Sequence, residues 1–372
     1  MPRFRSLGTI GLAVLPVLPM STPVGQSAHS QPVRLVRQSW GTAMIRHFGQ
    51  PGNASGFSTI LTTDGVGWVF GGTNPGGQSR PVAERQVGHQ WVESRLPAGL
   101  TDFISDASAP SRRDIWAVSG YGRYVLHWDG TRWQLARRWN SQGTLSDIVA
   151  TGPRDAWVFG TTAGGTRSLG TWHYDGTSWR RVEGRARDIY RASAISGRDL
   201  WAITAGQRGD AIIRFNGRSW HRVRAGRAFS GIRWHDILAE SPHNVWLAGN
   251  ATGKKYRGRL VLARWNGKRW NRWVTPLSVL AGQLAPAGSG RVLATATSAA
   301  LLPTGLILMM TSDGRLSSSV ISSSFGCGVS DATLVARTQS VWATGGSLTR
   351  QGGDAVVWVR PLPGGLDSRD IH

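Results

Sequence analysis

One motif recurs through the middle of this chain and restricts what it can fold into. Asp114 to Trp133 reads DIWAVSGYGRYVLHWDGTRW. Asp155 to Trp179 gives DAWVFG and then WHYDGTSW; Asp199 to Trp220 gives DLWAITAG and then IRFNGRSW; Asn244 to Trp270 gives NVWLAG and then ARWNGKRW. A repeat of roughly 40–50 residues means a repeat array or a propeller, because one such unit cannot bury its apolar faces alone.

The composition of the unit selects between the two. Ile115 to Val118 is a short apolar run with a β-branched residue and an aromatic, too short for a helix. Val125 to Trp128 is a second run, and Asp129-Gly130 follows it. Asp-Gly suits a tight type I′ hairpin, with Thr131 to Leu135 as the return strand. Ser146 to Val149 then opens the next unit. About four short antiparallel strands per period are the blades of a β-propeller. Trp116, Trp157, Trp201 and Trp246 are expected between blades, and Trp133, Trp179, Trp220 and Trp270 on the outer strands.

Counting the units predicts an all-β, seven-bladed propeller. The first unit carries Gly67 to Gly72 as its tryptophan strand and closes its hairpin with Gly88 and Trp91. The sixth is degenerate, with Val292-Leu293-Ala294 in place of the tryptophan strand and Asp313-Gly314 as its turn. The seventh has Val341 to Gly345 and then Ala355 to Val359, but no outer strand before Pro361 and Pro363. The stretch around Ser39-Trp40 supplies the missing strand, so the N-terminal end closes the last blade and removes an exposed sheet edge. The expected organisation is a signal peptide over 1–30, the propeller over 31–363 and a tail over 364–372.

The pattern D-x-W-A-V-G followed by H-W-D-G-T-x-W resembles the Trp-rich repeats of secreted bacterial propellers. These are frequent in actinobacteria and are grouped loosely with kelch and galactose-oxidase-like propellers. The resemblance spans about residues 33–360 and implies a fold rather than an activity. Only Gly71-Gly72 and Gly345-Gly346 match the kelch double glycine, and the five Tyr and one Cys lie in settings unrelated to a copper–tyrosyl site.

Arg3 and Arg5, then the apolar stretch Leu7 to Leu18, then small residues near Ser27-Ala28, read as a secretory signal peptide. The apolar stretch is far short of the ~20 residues a spanning helix needs. The expected location is therefore extracellular. Cys327 is the single cysteine, so there is no intramolecular disulfide, and its glycine neighbours suit a small core residue.

Formal net charge is +22. Such a field draws polyanions whatever the fold. Basic residues crowd the loops of one face, among them Arg233, Lys254, Lys255 and Arg257. The partners this predicts are an acidic wall polymer or polysaccharide, or a protein. No recognition-helix, zinc-finger or RNA-binding motif is present, which argues against specific nucleic-acid recognition. The chain is expected to be a monomer.

A second constellation follows the repeat register. Asp106, Asp147 and Asp236 each precede the opening Asp or Asn of a tryptophan strand by eight positions; Asp331 is one residue off. Arg191 stands there in the fourth unit and Ser58 in the first. These residues would ring the channel mouth, where carboxylates suit Ca²⁺ or a cationic ligand or an acid–base pair. Equally, an Asp at a strand start can cap its own turn. His235, beside Asp236, joins this group, whereas His127 and His173 occupy a repeat position and read as scaffold. The leading reading is an extracellular binding scaffold; the alternative is a polysaccharide lyase or hydrolase using Asp147, Asp236 and His235. No metal-ligand spacing, nucleotide loop or nucleophile elbow is found, and no cofactor is expected. The most apolar run, Ala299 to Met310, is expected to form two buried strands meeting at Pro303-Thr304-Gly305.

Overall fold

The computed structural model describes residues 34–35, 40–47, 56–74, 78–121, 124–140, 143–162, 168–182, 184, 188–206, 209–224, 226, 229–288, 290–321, 326–335, 338–349 and 352–361. The expected signal segment and C-terminal tail lie outside these residues. Among the described residues there is no α-helix.

The strands form five four-stranded sheets and one of eight. The first runs Gly56–Thr63, Val66–Thr73, Arg80–Val87 and Gln90–Glu93. The second runs Ile104–Ser111, Asp114–Ser119, Tyr124–Trp128 and Trp133–Arg138. The third is Asp147–Gly152, Asp155–Phe159, Thr171–Tyr174 and Trp179–Val182; the fourth is Ile189–Ser196, Asp199–Thr204, Ala211–Phe215 and Trp220–Arg222. The eight-stranded sheet is two such units fused through one long strand, Trp270–Pro286. Its N-terminal half completes Ile232–Ser241, Asn244–Ala251 and Arg259–Trp265; its C-terminal half leads Val292–Ser298, Gly305–Met310 and Leu316–Ile321. Arg34–Leu35 adds a short parallel strand to Leu316–Ile321. The last sheet is Cys327–Val335, Ser340–Thr349, Gly352–Pro361 and Gly41–His47, so the N-terminal strand does pair with Gly352–Pro361.

Each leading strand lies against the leading strand of the next unit, and Cys327–Val335 lies against Gly56–Thr63. The tryptophans fill the spaces between sheets. The outer-strand indole of one unit meets, edge to face, the tryptophan strand of the unit before it: Trp133 on Trp68 at 5.8 Å, Trp179 on Trp116 at 6.0 Å, Trp220 on Trp157 at 6.1 Å and Trp270 on Trp201 at 6.3 Å. Trp91 of the first sheet meets Trp342 of the last at 5.4 Å. Edge-to-face pairs favour the ring quadrupoles, in addition to burying much apolar area.

Two local expectations are corrected. The Asp129-Gly130 and Asp175-Gly176 hairpins are four-residue connections, not two-residue type I′ turns, since Trp128 pairs with Trp133 and Tyr174 with Trp179, and only the glycine has positive φ (Gly130, +95°). The cause is the Asp129 carboxylate, which accepts the Thr131 and Arg132 N–H groups at 2.9 and 3.0 Å and holds a wider turn. The Ala299–Met310 run is one buried strand, Gly305–Met310, preceded by an exposed loop. Val279 pairs with Ser298 and Thr297 with Gly305, which places Ala299 to Leu302 beyond the end of the sheet.

Candidate ligand face and channel

The Asp register becomes a geometric feature at the leading strands. Ladder pairing slips between Phe57 and Thr59, Ile104 and Asp106, Ile189 and Arg191, Trp234 and Asp236, and Val329 and Asp331. A bulge of this kind re-aims the side chain that follows it. The first-unit equivalent is therefore Thr59, not Ser58. Asp331 falls into register, because Val335 pairs with Ser340 across four positions of sequence where Ser111 pairs with Asp114 across two.

Each of these carboxylates reaches the next four-strand unit rather than its own turn. Asp106 Oδ2 accepts the Ile148 N–H at 3.1 Å, Asp147 accepts that of Ala192, and Asp236 Oδ2 accepts that of Leu284 at 2.5 Å. Asp331 Oδ2 accepts Ile60 N–H at 3.0 Å and Thr59 Oγ1–H at 2.8 Å. Ser108 and Ser193 form a second row, accepting Ala150 and Ala239 N–H groups at 3.0 and 2.9 Å. The repeated Asp is thus a tie between successive units.

Arg191 breaks the series and sits among the carboxylates. Its Nε lies 3.6 Å from Asp236 Oδ1 and its Nη1 3.9 Å from Asp147 Oδ1, and it donates to the Ser146 carbonyl at 2.8 Å. Together with Asp106, Ser108, Ser193 and Gln283 these side chains line a polar cavity of about 250 Å³. Burial pushes the Asp147 carboxyl well above its usual range, and the adjacent Asp106, hydrogen-bonded to it, pushes the same way. Burial raises Asp236 to about 6 although Arg191 opposes the rise, and raises Asp331 to about 7. Burial works against the Arg191 charge, but the surrounding carboxylates outweigh it and hold the guanidinium protonated. Among the described residues no three acidic, His or Cys side chains are grouped to hold a metal ion.

His235 occupies the bulge before Asp236. Its pKa is lowered by burial, then by the charge of Arg233. Nearby, Tyr190 donates to the Trp234 carbonyl at 2.8 Å and Asp210 accepts the Trp234 N–H at 2.8 Å. Asp210 also lines a larger cavity of about 580 Å³ beside the fourth sheet, with Arg222, Arg224, Phe229 and Trp234.

Lys254 and Lys255 form a 3₁₀ turn with Tyr256, and Arg257 follows. Arg233, Lys254, Lys255 and Arg257 are exposed, with no carboxylate in salt-bridge range among the described residues. Lys255 Nζ and the Arg259 guanidinium lie 5.1 and 5.6 Å from the Tyr256 ring centre. The structure therefore brings Asp106, Asp147, Arg191 and Asp236 together around one polar cavity, ties Asp331 to the first sheet instead, and leaves Arg233, Lys254, Lys255 and Arg257 outside on the surface.

A further network belongs to the scaffold. His127 Nε2 donates to Asp114 Oδ1 at 2.7 Å and stacks on Trp116 at 4.1 Å; His173 repeats this with Asp155 and Trp157 at 2.7 and 4.0 Å. In the fourth sheet Arg214 takes the histidine's place, with two 2.6 Å bonds to Asp199 while lying over Trp201. Cys327 is buried, its thiol 3.1 Å from the Ile321 carbonyl.

No known protein family matches this sequence, and no curated protein matches it. Solved structures match its fold. YCF48 bound to a D1 peptide superposes with a TM-score of 0.57 at 15% identity, over 92% of this chain and 100% of that one. A catalytically inactive virginiamycin B lyase from Staphylococcus aureus, with quinupristin, gives 0.60 at 11% identity over 86% and 99%. The β-propeller domain of Cps50 (Swd1) from Myceliophteria thermophila gives 0.56 at 12% over 86% and 99%. At these identities the likeness concerns fold alone: this chain is a Trp-rich β-propeller.

Proposed function

We propose that this chain is an exported, seven-bladed binding propeller, its last blade completed by the N-terminal strand, that takes an acidic ligand on its basic loop face. A propeller in the structure of YCF48 carries a peptide, which supports a segment of a protein partner as one form of that ligand; an acidic surface polymer is the other. The carrying observation is the contrast between the two charged groups. The channel carboxylates are bonded to neighbouring strands and to Arg191, whereas Arg233, Lys254, Lys255 and Arg257 are exposed without carboxylate partners among the described residues.

The test is a titration of the chain with a polyuronate, a teichoic-acid-type polymer, polyglutamate and a neutral glucan, at low and high salt. Saturable binding to an acidic ligand, reduced by a Lys254→Glu, Lys255→Glu, Arg257→Glu variant and unaffected by Asp236→Asn, supports the reading. Equal binding by parent and charge-reversed chain overturns it. Turnover of the polymer that disappears in Asp236→Asn or His235→Ala would instead make the channel an active site.

A further inference from the structure

The structure places two unlike loops side by side on this face. The first is the basic turn from Lys254 to Arg259. The second is Ala299 to Leu302, where Leu301 is 99% exposed and Leu302 56%. Between them runs the segment bearing Leu280, which is 57% exposed. The register joins all three: Arg259 pairs with Ser278, and the next residue, Val279, pairs with Ser298 at the base of the leucine loop. Asn250, itself buried, fixes the junction. Its Nδ2 donates to the carbonyls of Gly258 at 3.2 Å and Val279 at 2.6 Å, and its Oδ1 accepts the Ala281 N–H at 3.0 Å.

We propose that this junction is a docking surface for an anionic lipid bilayer. The proposal rests on the reading of this face as the ligand-binding one, and names the partner taken by its apolar edge. Three observations select a bilayer. Leu301 is almost wholly exposed at a loop tip, so a rigid partner would need a pocket shaped to receive it, whereas the headgroup–acyl boundary accepts an apolar projection of any shape. The leucines stand beside Lys254, Lys255, Arg257 and Arg259, the charge complement of an anionic leaflet. Tyr256, half-buried between Lys255 and Arg259, is an amphipathic ring at the boundary between basic and apolar groups. In this arrangement the cations lie at the phosphates while Leu280, Leu301 and Leu302 enter the interface. No helix of the described residues is long and apolar enough to cross a membrane.

The experiment is co-sedimentation of the chain with phosphatidylglycerol–phosphatidylcholine vesicles and with phosphatidylcholine vesicles alone, beside a polyglutamate titration. The expected result is binding to the anionic vesicles only. Leu301→Asp, Leu302→Asp should lower that binding by about tenfold or more while leaving polyglutamate binding unchanged. Leu280→Ser provides a second apolar change at a separate site and should act in the same direction. Charge reversal at Lys254, Lys255 and Arg257 should reduce binding to both vesicles and polyglutamate. Vesicle binding that ignores the leucine substitutions, or polyglutamate binding without vesicle binding, overturns the docking surface and leaves the basic face standing. Binding to neither overturns both.

Discussion

Asp331 and Thr59 lie 272 positions apart in the chain, and the Thr59 hydroxyl donates to the Asp331 carboxylate at 2.8 Å. With the Ile60 N–H on the same oxygen, this carboxylate joins the last sheet to the first. Asp331→Ala should remove both bonds and leave the Ile60 N–H buried without a partner, costing about 2–3 kcal/mol in denaturant unfolding. Asp331→Asn retains an acceptor oxygen and should cost less.

The same residue gives a pH signature. Burial raises Asp331 from its ordinary 3.8 to about 7, so the folded state binds its proton more tightly than the unfolded chain does. Its contribution to stability is fully present below about 4 and is lost as pH rises through 7. Asparagine does not titrate. The melting temperature of Asp331→Asn relative to the parent should therefore rise between pH 5 and pH 8. A difference that stays flat over this range would show that Asp331 is ionised throughout.

Arg191 is the only cation shown within reach of Asp147 and Asp236 among the described residues, at 3.9 and 3.6 Å. Arg191→Leu leaves buried carboxylates uncompensated and should destabilise the fold by about 3 kcal/mol or more at pH 8. At pH 5 the loss should be smaller, because Asp236, with a pKa of about 6, is then mostly protonated. Unfolding titrations at the two pH values test this; an equal loss at both would place the stabilisation elsewhere.

The sheets and the Asp positions were legible because the repeat sets a register that the eye can carry from unit to unit. Arg191 was legible as a departure from that register. What each carboxylate binds was not. For Asp106, Asp147 and Asp236 the partner is a backbone N–H 42 to 48 positions further on, in the next unit, and for Asp331 it is the Ile60 N–H 271 positions back; a backbone N–H leaves no mark in sequence. The repeat spacing points to Ser58 rather than Thr59, because the bulge between Phe57 and Thr59 depends on which ladder bond is skipped. The apolar composition of Ala299 to Leu302 predicts buried strand. Its exposure follows from the Val279–Ser298 pairing, which a single unit with a degenerate repeat does not reveal.

The repeat also predicts which residues can replace one another. His127 holds Asp114 and covers Trp116; Arg214 does the same for Asp199 and Trp201 two units later. His127→Arg should therefore remain within about 0.5 kcal/mol of the parent, as a change that preserves the contact. His127→Ala should cost about 1–3 kcal/mol, since Asp114 Oδ2 already lacks a partner and Oδ1 would keep only the Trp116 Nε1–H at 2.9 Å. Thermal melts of the two variants distinguish a shared scaffold role from a role special to histidine; a large loss in His127→Arg would favour the latter.

Asn250 makes a sharper local prediction. Its side chain bonds the Gly258 and Val279 carbonyls and the Ala281 N–H, so one amide holds the basic turn against the segment that carries Leu280. Asn250→Leu keeps the volume and removes all three bonds, leaving backbone groups buried without partners. The expected cost is about 2–3 kcal/mol. Because the loss is local, amide hydrogen exchange should accelerate at Gly258 and at 278–281 well before the other sheets are affected. Uniform acceleration across all sheets would mean that this amide stabilises the fold as a whole rather than the junction of the two loops.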